Sequence, residues 1–411
     1  MKTKLKLKKK FKITLLLILI ILSIIIFQNI TKKEKQDKDT NLKIPSTTTS
    51  TTKKIIKQNK QEAKLTLIGD LLFEQPFYDA INSGYDSSKY FEIVNNDYFK
   101  KDDLTIGNME VVIGNDSLEV SGTGYSFCAP SSMGNLIANQ SIEILGTANN
   151  HSYDRGIDGI NSTIDFFRNN SNIMTIGTYN DTNKRNNLYI KNINGIKIGF
   201  LAYTMGTNSK IPNNLREKVG LFRDPDTRTV TEEYKEILKN EITNLRESVD
   251  VVIVLMHWGK EFTYQITEEQ TYLANYLNNL GVDIIIGSHS HNIQKIEEIG
   301  ENHKTLVYYS MGNFVSADPI VDRANQEFLD NYQIGLLSTL TITKQSQSIN
   351  ITNIKTEPII NYYDKNQNNF LLIPLNQYSE TYEKNHYLYN NGLTKQFIEN
   401  TFEKIIDQKY R

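Results

Sequence analysis

Seven short apolar runs punctuate the chain: AKLTLIGD (63–70), DLTIGNME (103–110), SIEILGTANN (141–150), IKIGFLAY (196–203), VDVVIVLMHWG (249–259), VDIIIGSHSH (282–291) and TLVYYSMGNF (305–314). They are rich in β-branched residues and end in turn-forming or polar ones, which predicts buried strands. Between them lie helical patterns at 159–170, 229–247 and 267–281; the last opens on Thr267 followed by acids and stops at Gly281. Strand and helix in alternation predict an α/β fold with mostly buried strands. Residues 335–363 read as a β-hairpin with a polar turn, and the Tyr/Asn-rich C-terminal stretch is expected to end in a helix. No internal repeat is evident.

The N-terminus follows a different pattern. Seven lysines within residues 2–12 precede fifteen uncharged residues, 13–27. With Gln28, Asn29 and Ile30 the stretch would span ~27 Å as a helix, close to the ~30 Å hydrocarbon core of a bilayer. The lysines should remain cytoplasmic, placing the rest of the chain outside. A cleaved signal peptide shares this charge order, but no small-x-small cleavage pattern follows the apolar run. The segments expected are therefore a cytoplasmic tail with a single-pass anchor at 1–30 and a polar tether at 31–62. A folded domain at 63–345 and a C-terminal extension at 346–411 follow. The tether's Thr/Ser block cannot bury enough surface to offset its ordering entropy.

The overall charge of −1 hides an asymmetry: residues 1–62 carry +12, leaving −13 on residues 63–411. A domain that acidic argues against nucleic acid as a partner. The single cysteine, Cys128, excludes an intramolecular disulfide and reads as a small core residue.

Chemistry concentrates where polar residues interrupt the strands. Asp70 ends the first run, Asn108 and Glu110 the second, and Asn150 with His151 follows the third. His257 ends the fifth run, and His289 and His291 close the sixth. Ligands of open α/β sheets bind at the carboxyl ends of strands, so these residues are expected on one rim. Four of the six histidines sit there. Oxygen and imidazole donors without thiolates suit Mn, Zn or Fe, with Mg also admissible, as one or two divalent ions. The i, i+2 histidines of GSHSH should point to the same side of an extended segment and could serve two adjacent metals. That arrangement suits hydrolysis of phosphate or related esters. Trp258 and Glu261 are possible cleft residues, as are Asn108 and Asn313, the latter in a strand-end turn with Gly312. Asp154 and Arg155 read as a turn ion pair, and His303 and His386 as surface residues.

The ordered motifs GD (69–70), GNMEVVI (107–113), TANNHSYDRG (147–156), HWGKEF (257–262), GSHSH (287–291) and YSMGNFV (309–315) resemble the CapA/PgsA family of capsule synthesis proteins. The resemblance runs from about Lys64 to Ile342. It implies two packed mixed β-sheets flanked by helices, a four-layer α/β/β/α order similar to calcineurin-like metallophosphatases. It also implies a role in making or exporting poly-γ-glutamate beside polymer synthase subunits at the membrane. Carried over, Asp70 and His291 would hold a first metal, Asn150, His257 and His289 a second, and His151 would protonate a leaving oxygen. Two positions depart from the metallophosphatase pattern: Leu72 replaces a histidine, and Asn108 replaces the bridging aspartate, a role Glu110 could assume. The sequence has no P-loop, so ATP-driven ligation would belong to another protein. Three functions remain open: a membrane-anchored component of polymer synthesis or export, an extracellular metal-dependent phosphoesterase acting on an anionic substrate, and a non-catalytic scaffold.

Overall fold

A computed structural model describes residues 60–115, 117–124, 126–317 and 332–411. The expected anchor and all but the last residues of the tether lie outside them. Among the described residues no helix is long and apolar enough to cross a membrane.

The strands run in chain order as β1 (Gln61–Leu71), β2 (Leu104–Met109), β3 (Val112–Ile113), β4 (Cys128–Ala129), β5 (Ile144–Gly146) and β6 (Met174–Ile176). They continue as β7 (Tyr189–Ile193), β8 (Ile196–Thr204), β9 (Val251–His257), β10 (Ile284–Ser288) and β11 (Ile296–Ile299). The last are β12 (Thr305–Tyr308), β13 (Asn313–Val315), β14 (Ile334–Gln345), β15 (Ser348–Tyr363) and β16 (Phe370–Pro374). The principal helices are α1 (Gln75–Asn82), α2 (Ser131–Ala138), α3 (Gly156–Asn170), α4 (Glu232–Arg246), α5 (Glu268–Asn279) and α6 (Lys395–Ile405).

One mixed sheet has the order β16-β15-β14-β1-β2-β5-β6, with β13 pairing alongside the end of β1. The second has the order β11-β12-β10-β9-β8-β7, and β3 and β4 form a small separate ladder. Within the second sheet β8, β9, β10 and β12 are parallel, and both edge strands run antiparallel. Strand periodicity explains the layering. Ile253 and Leu255 of β9 share a core with Leu65 and Leu67 of β1, between the sheets. Their neighbours Val252, Val254 and Met256 face the other way, onto Leu238 and Ile242 of α4 and Leu273 and Leu277 of α5. Both faces of these strands are buried, which is why their sequences are continuously apolar rather than alternating. At the far end of the first sheet α3 packs on β6, and α2 packs on α3 and on the β3–β4 ladder. The result is the four-layer helix–sheet–sheet–helix order that the resemblance implied.

Local chemistry accounts for the helix ends. Thr267 caps α5 in a reciprocal capping box with Gln270, satisfying two otherwise open donors. The predicted hairpin is β14–β15, turning at Ser346, whose φ is +59°. Residues 346–411 belong to the same compact unit as the domain before them: β15 and β16 widen the first sheet, and Ile398 and Phe402 of α6 enter its core. His386 therefore corrects the surface reading. It is fully buried, with Nε2 3.0 Å from the Asn361 carbonyl and Nδ1 accepting from the Leu388 amide at 3.0 Å. His303 does remain half-exposed.

The strand end that carries Asp70 is held by a close backbone approach. Asp70 donates its amide to the Gly312 carbonyl at 2.9 Å, and a Cβ on Gly69 would lie 2.0 Å from that same oxygen. Gly69→Ala should therefore push β1 off β13 and destabilise the domain by about 2–4 kcal/mol. Urea unfolding should show a lower midpoint; a midpoint equal to the parent's would contradict this packing.

Candidate metal centre

Parallel pairing brings the carboxyl ends of β1, β2, β9 and β10 to one side, and the polar residues that end them converge there. Asp70, Glu110, Asn150, His151, His257, His289 and His291 are all buried. His257 Nε2 lies 2.8 Å from Asn150 Oδ1, 3.1 Å from His289 Nδ1 and 3.4 Å from Glu110 Oε1. These four donors surround one point. A second group joins Asp70, Glu110 and His291, whose donor atoms lie within 4.8 Å of one another. Glu110 belongs to both groups.

The two GSHSH histidines reach this geometry differently from the reading made on an extended segment. His289 and His291 have φ of +92° and +57°, so the chain turns rather than alternates, and each ring goes to a different group. Left-handed backbone at a non-glycine residue stores strain that surrounding contacts must hold in place.

Two observations test whether a cation fits. Both Glu110 oxygens are buried without a hydrogen-bond donor among the described residues, and two imidazole nitrogens face each other at 3.1 Å. A buried carboxylate so placed needs a proton or a cation. Outer contacts also orient the rings. His257 Nδ1 lies 2.8 Å from Ser288 Oγ and 3.5 Å from Asn108 Nδ2. His291 Nδ1 donates to Asn313 Oδ1 at 2.9 Å, and Asn313 is oriented by donating Nδ2 to the Tyr332 carbonyl. Tyr332 in turn donates its hydroxyl to buried Glu74 at 2.9 Å.

The electrostatics follow from burial. Burial pushes Asp70 up to about 6, against hydrogen bonds from Asn108 Nδ2 at 2.8 Å and the His289 amide at 3.3 Å. Burial and then the adjacent Asp70 charge push Glu110 well above the ordinary carboxylate range. Burial holds His257 and His289 well below the usual imidazole range and brings His291 down to about 4, so all three rest neutral. Asn108 donates to Asp70 where a carboxylate would repel it. Leu72 is 2% exposed and joins the apolar core, bringing no donor to the Asp70 side.

His151 stands beside this centre. Its Nδ1 is 2.6 Å from Asp154 Oδ2, which also accepts the Phe127 amide at 2.6 Å. The expected Asp154–Arg155 pair is thus replaced: Asp154 serves His151, and Arg155 donates to Ser126 Oγ and to the Glu119 and Asp154 carbonyls. Trp258 is also corrected. It is fully buried, stacks on Tyr309 and donates Nε1 to the Tyr309 carbonyl at 2.9 Å, away from any cleft. Glu261 does line the cleft beside the centre, whereas Asn313 stands behind His291. Sequence reasoning missed Ser288, Glu74 and two cleft arginines, Arg223 and Arg228. Only Ser288, inside GSHSH, carried a local signal.

A family model described as bacterial capsule synthesis protein PGA_cap matches residues 64–318. The capsule biosynthesis protein CapA of Bacillus anthracis is 23% identical over 317 residues, 75% of this chain and 72% of its own. The PGA biosynthesis protein CapA of Bacillus subtilis (strain 168) is 28% identical over 181 residues, 44% of each chain. Among solved structures, a phosphatase from Mycoplasma pneumoniae aligns at 14% identity and a TM-score of 0.43, covering 73% of this chain and 94% of its own. The calcineurin-like phosphoesterase YfkN from Bacillus subtilis aligns at 14% identity and a TM-score of 0.38, covering 84% and 96%.

Because Glu110 is common to both donor groups, Glu110→Gln should reduce metal content at both. Elemental analysis that finds parental stoichiometry would remove Glu110 from the centre. Affinity should also depend on pH through the carboxylates. Metal and proton compete for Asp70 and Glu110, so affinity falls as pH drops through about 6, while the imidazoles stay neutral and do not compete. For the metal-free fold the raised Asp70 value acts with the opposite sign: the fold holds that proton more tightly than the unfolded chain does, so this contribution to stability is lost as pH rises from about 4 to about 6. Calorimetric titrations across this range should show proton release on metal uptake; pH-independent binding would contradict it.

Proposed function

The chain belongs to the PGA_cap family of bacterial capsule synthesis proteins, and from that premise we propose that it is a membrane-anchored, extracytoplasmic component of poly-γ-glutamate or related capsular polymer synthesis and export, working through a divalent metal. The observation that carries the metal part is Glu110, buried without a donor and common to two donor groups. Asn150, His257 and His289 would hold one ion, Asp70 and His291 a second, with Glu110 between them. Bound there, a divalent ion supplies Lewis-acid polarisation of an anionic oxygen. The chain's own residues do the rest. Asp154 fixes the His151 ring through Nδ1, so Nε2 is the atom that carries a proton to a leaving oxygen. The −13 domain leaves ATP-driven ligation to synthase subunits, since the sequence holds no P-loop.

The His151–Asp154 pair favours a second reading, an extracellular metal-dependent phosphoesterase acting apart from polymer assembly. Activity of the purified protein on a generic phosphoester, with surface polymer intact in cells lacking it, would select that reading. A protein without metal or hydrolytic activity would instead be a scaffold of the synthase complex.

The donor count ranks the two positions. Four donors meet around His257 and three around Asp70, and Leu72 adds none. His289→Ala should therefore lower total metal more than Asp70→Ala, and cells carrying it should lose surface polymer. Absence of metal after gentle purification, with normal polymer in those cells, would sink the proposal.

The seven lysines before an uncharged run carry the topology. Protease added to intact protoplasts should remove the folded domain. Spontaneous release of a shortened form into the medium would show cleavage instead of anchoring.

A further inference from the structure

We propose that the cleft beside the metal centre docks a multiply charged oxyanion ligand on Arg223, Arg228 and Lys260, with the ligand's reacting end toward Asn150 and His289. The cleft has a volume of about 480 Å³, and both of those metal-donor residues line it. Its other charged lining residues are these three cations and one acid, Glu261. On a domain carrying −13 the cleft holds a local surplus of positive charge, reduced by Glu261 in its lining and by the Arg223–Glu269 pair, and that surplus draws in an anionic ligand.

The three cations differ in how firmly they are held. Arg223 is oriented in advance: Nε donates to the Met205 carbonyl at 3.0 Å, and Nη1 donates to both Glu269 oxygens at 2.9 and 3.1 Å. Nη2 has no hydrogen-bond partner among the described residues and is left for a ligand oxygen. Arg228 and Lys260 are exposed and have no carboxylate partner among the described residues. Arg228 sits at φ +56° in a tight turn, its amide bonded to the Asp224 carbonyl at 2.8 Å. Lys260 follows Gly259, whose φ of +90° and close packing on Gln270 fix the loop that presents it. Beside them Phe262 stacks on His291 with centroids 5.6 Å apart.

Guanidinium and ammonium groups grip carboxylate and phosphate oxygens alike, so the shared chemistry is the oxyanion. Its source is either a polycarboxylate chain or a phosphoester. The proposal rests on the metal-centre reading only for the direction in which the ligand faces.

Calorimetry on the full chain in detergent tests it, with inorganic phosphate and a linear glutamate pentamer as probes at low salt. At least one probe should bind, more weakly as salt rises. The double variant Arg228→Gln/Lys260→Gln should weaken binding about tenfold or more, which corresponds to about 1.4 kcal/mol. Arg223→Gln should act in the same direction. Melting temperature and metal content of the double variant should match the parent, which separates a lost contact from a lost fold. Preference for the pentamer identifies a chain, and preference for phosphate identifies a phosphoester. Binding of neither probe, or parental binding by the double variant, overturns the proposal. If instead the metal reading is wrong, the parent retains no metal yet still binds the probe, and the double variant still loses it.

Discussion

A carboxylate cannot stay buried and charged without a partner, and Glu110 sits at that limit. It lies at the end of β2, fully buried, with neither oxygen receiving a donated hydrogen among the described residues. Asp70 is beside it, two imidazoles from the second sheet face it, and burial raises both carboxyls. Such a cluster is costly unless a proton or a cation compensates it. Its neighbours are arranged to limit that cost. Asn108 donates to Asp70, Ser288 Oγ lies against His257 Nδ1, and Asn313 Oδ1 accepts from His291 Nδ1.

The amide at position 108 and the carboxylate at position 110 act together in this light. A carboxylate at position 108 would stand against Asp70 in the β1–β2 register, where the two residues pair directly. The amide there instead donates a hydrogen bond, and the acid appears two residues on. Glu110, one residue beyond β2, still faces His257 and His291. Glu110 is thus the carboxylate common to both donor groups, and buried Leu72 brings no donor to the Asp70 side. The basic cleft opens on the richer side, through Asn150 and His289.

Much of this was legible in the sequence. The apolar runs are strands because they are short, β-branched and bounded by turn residues, and the polar residues ending them had to share a rim once the strands were parallel. Period two also predicts the fate of Trp258: with His257 facing the centre, the next residue turns to the α4–α5 side, where it stacks on Tyr309. Other features depend on contacts between distant segments. His386 is buried because β15 and the C-terminal segment close over it, though its sequence neighbours are polar. Asp154 finds His151 rather than Arg155 because the loop after β5 turns back within three residues. The arginines of the cleft lie in a loop far along the chain from Asn150, and nothing in their local pattern marks them.

The most direct measurement is anomalous diffraction from crystals of the folded domain grown with Mn²⁺. A peak is expected at coordination distance, about 2.0–2.3 Å, from Glu110, His257 and His289. A weaker peak is expected between Glu110, Asp70 and His291. Crystals with ordered Glu110 and no anomalous peak beside it would contradict the metal centre itself.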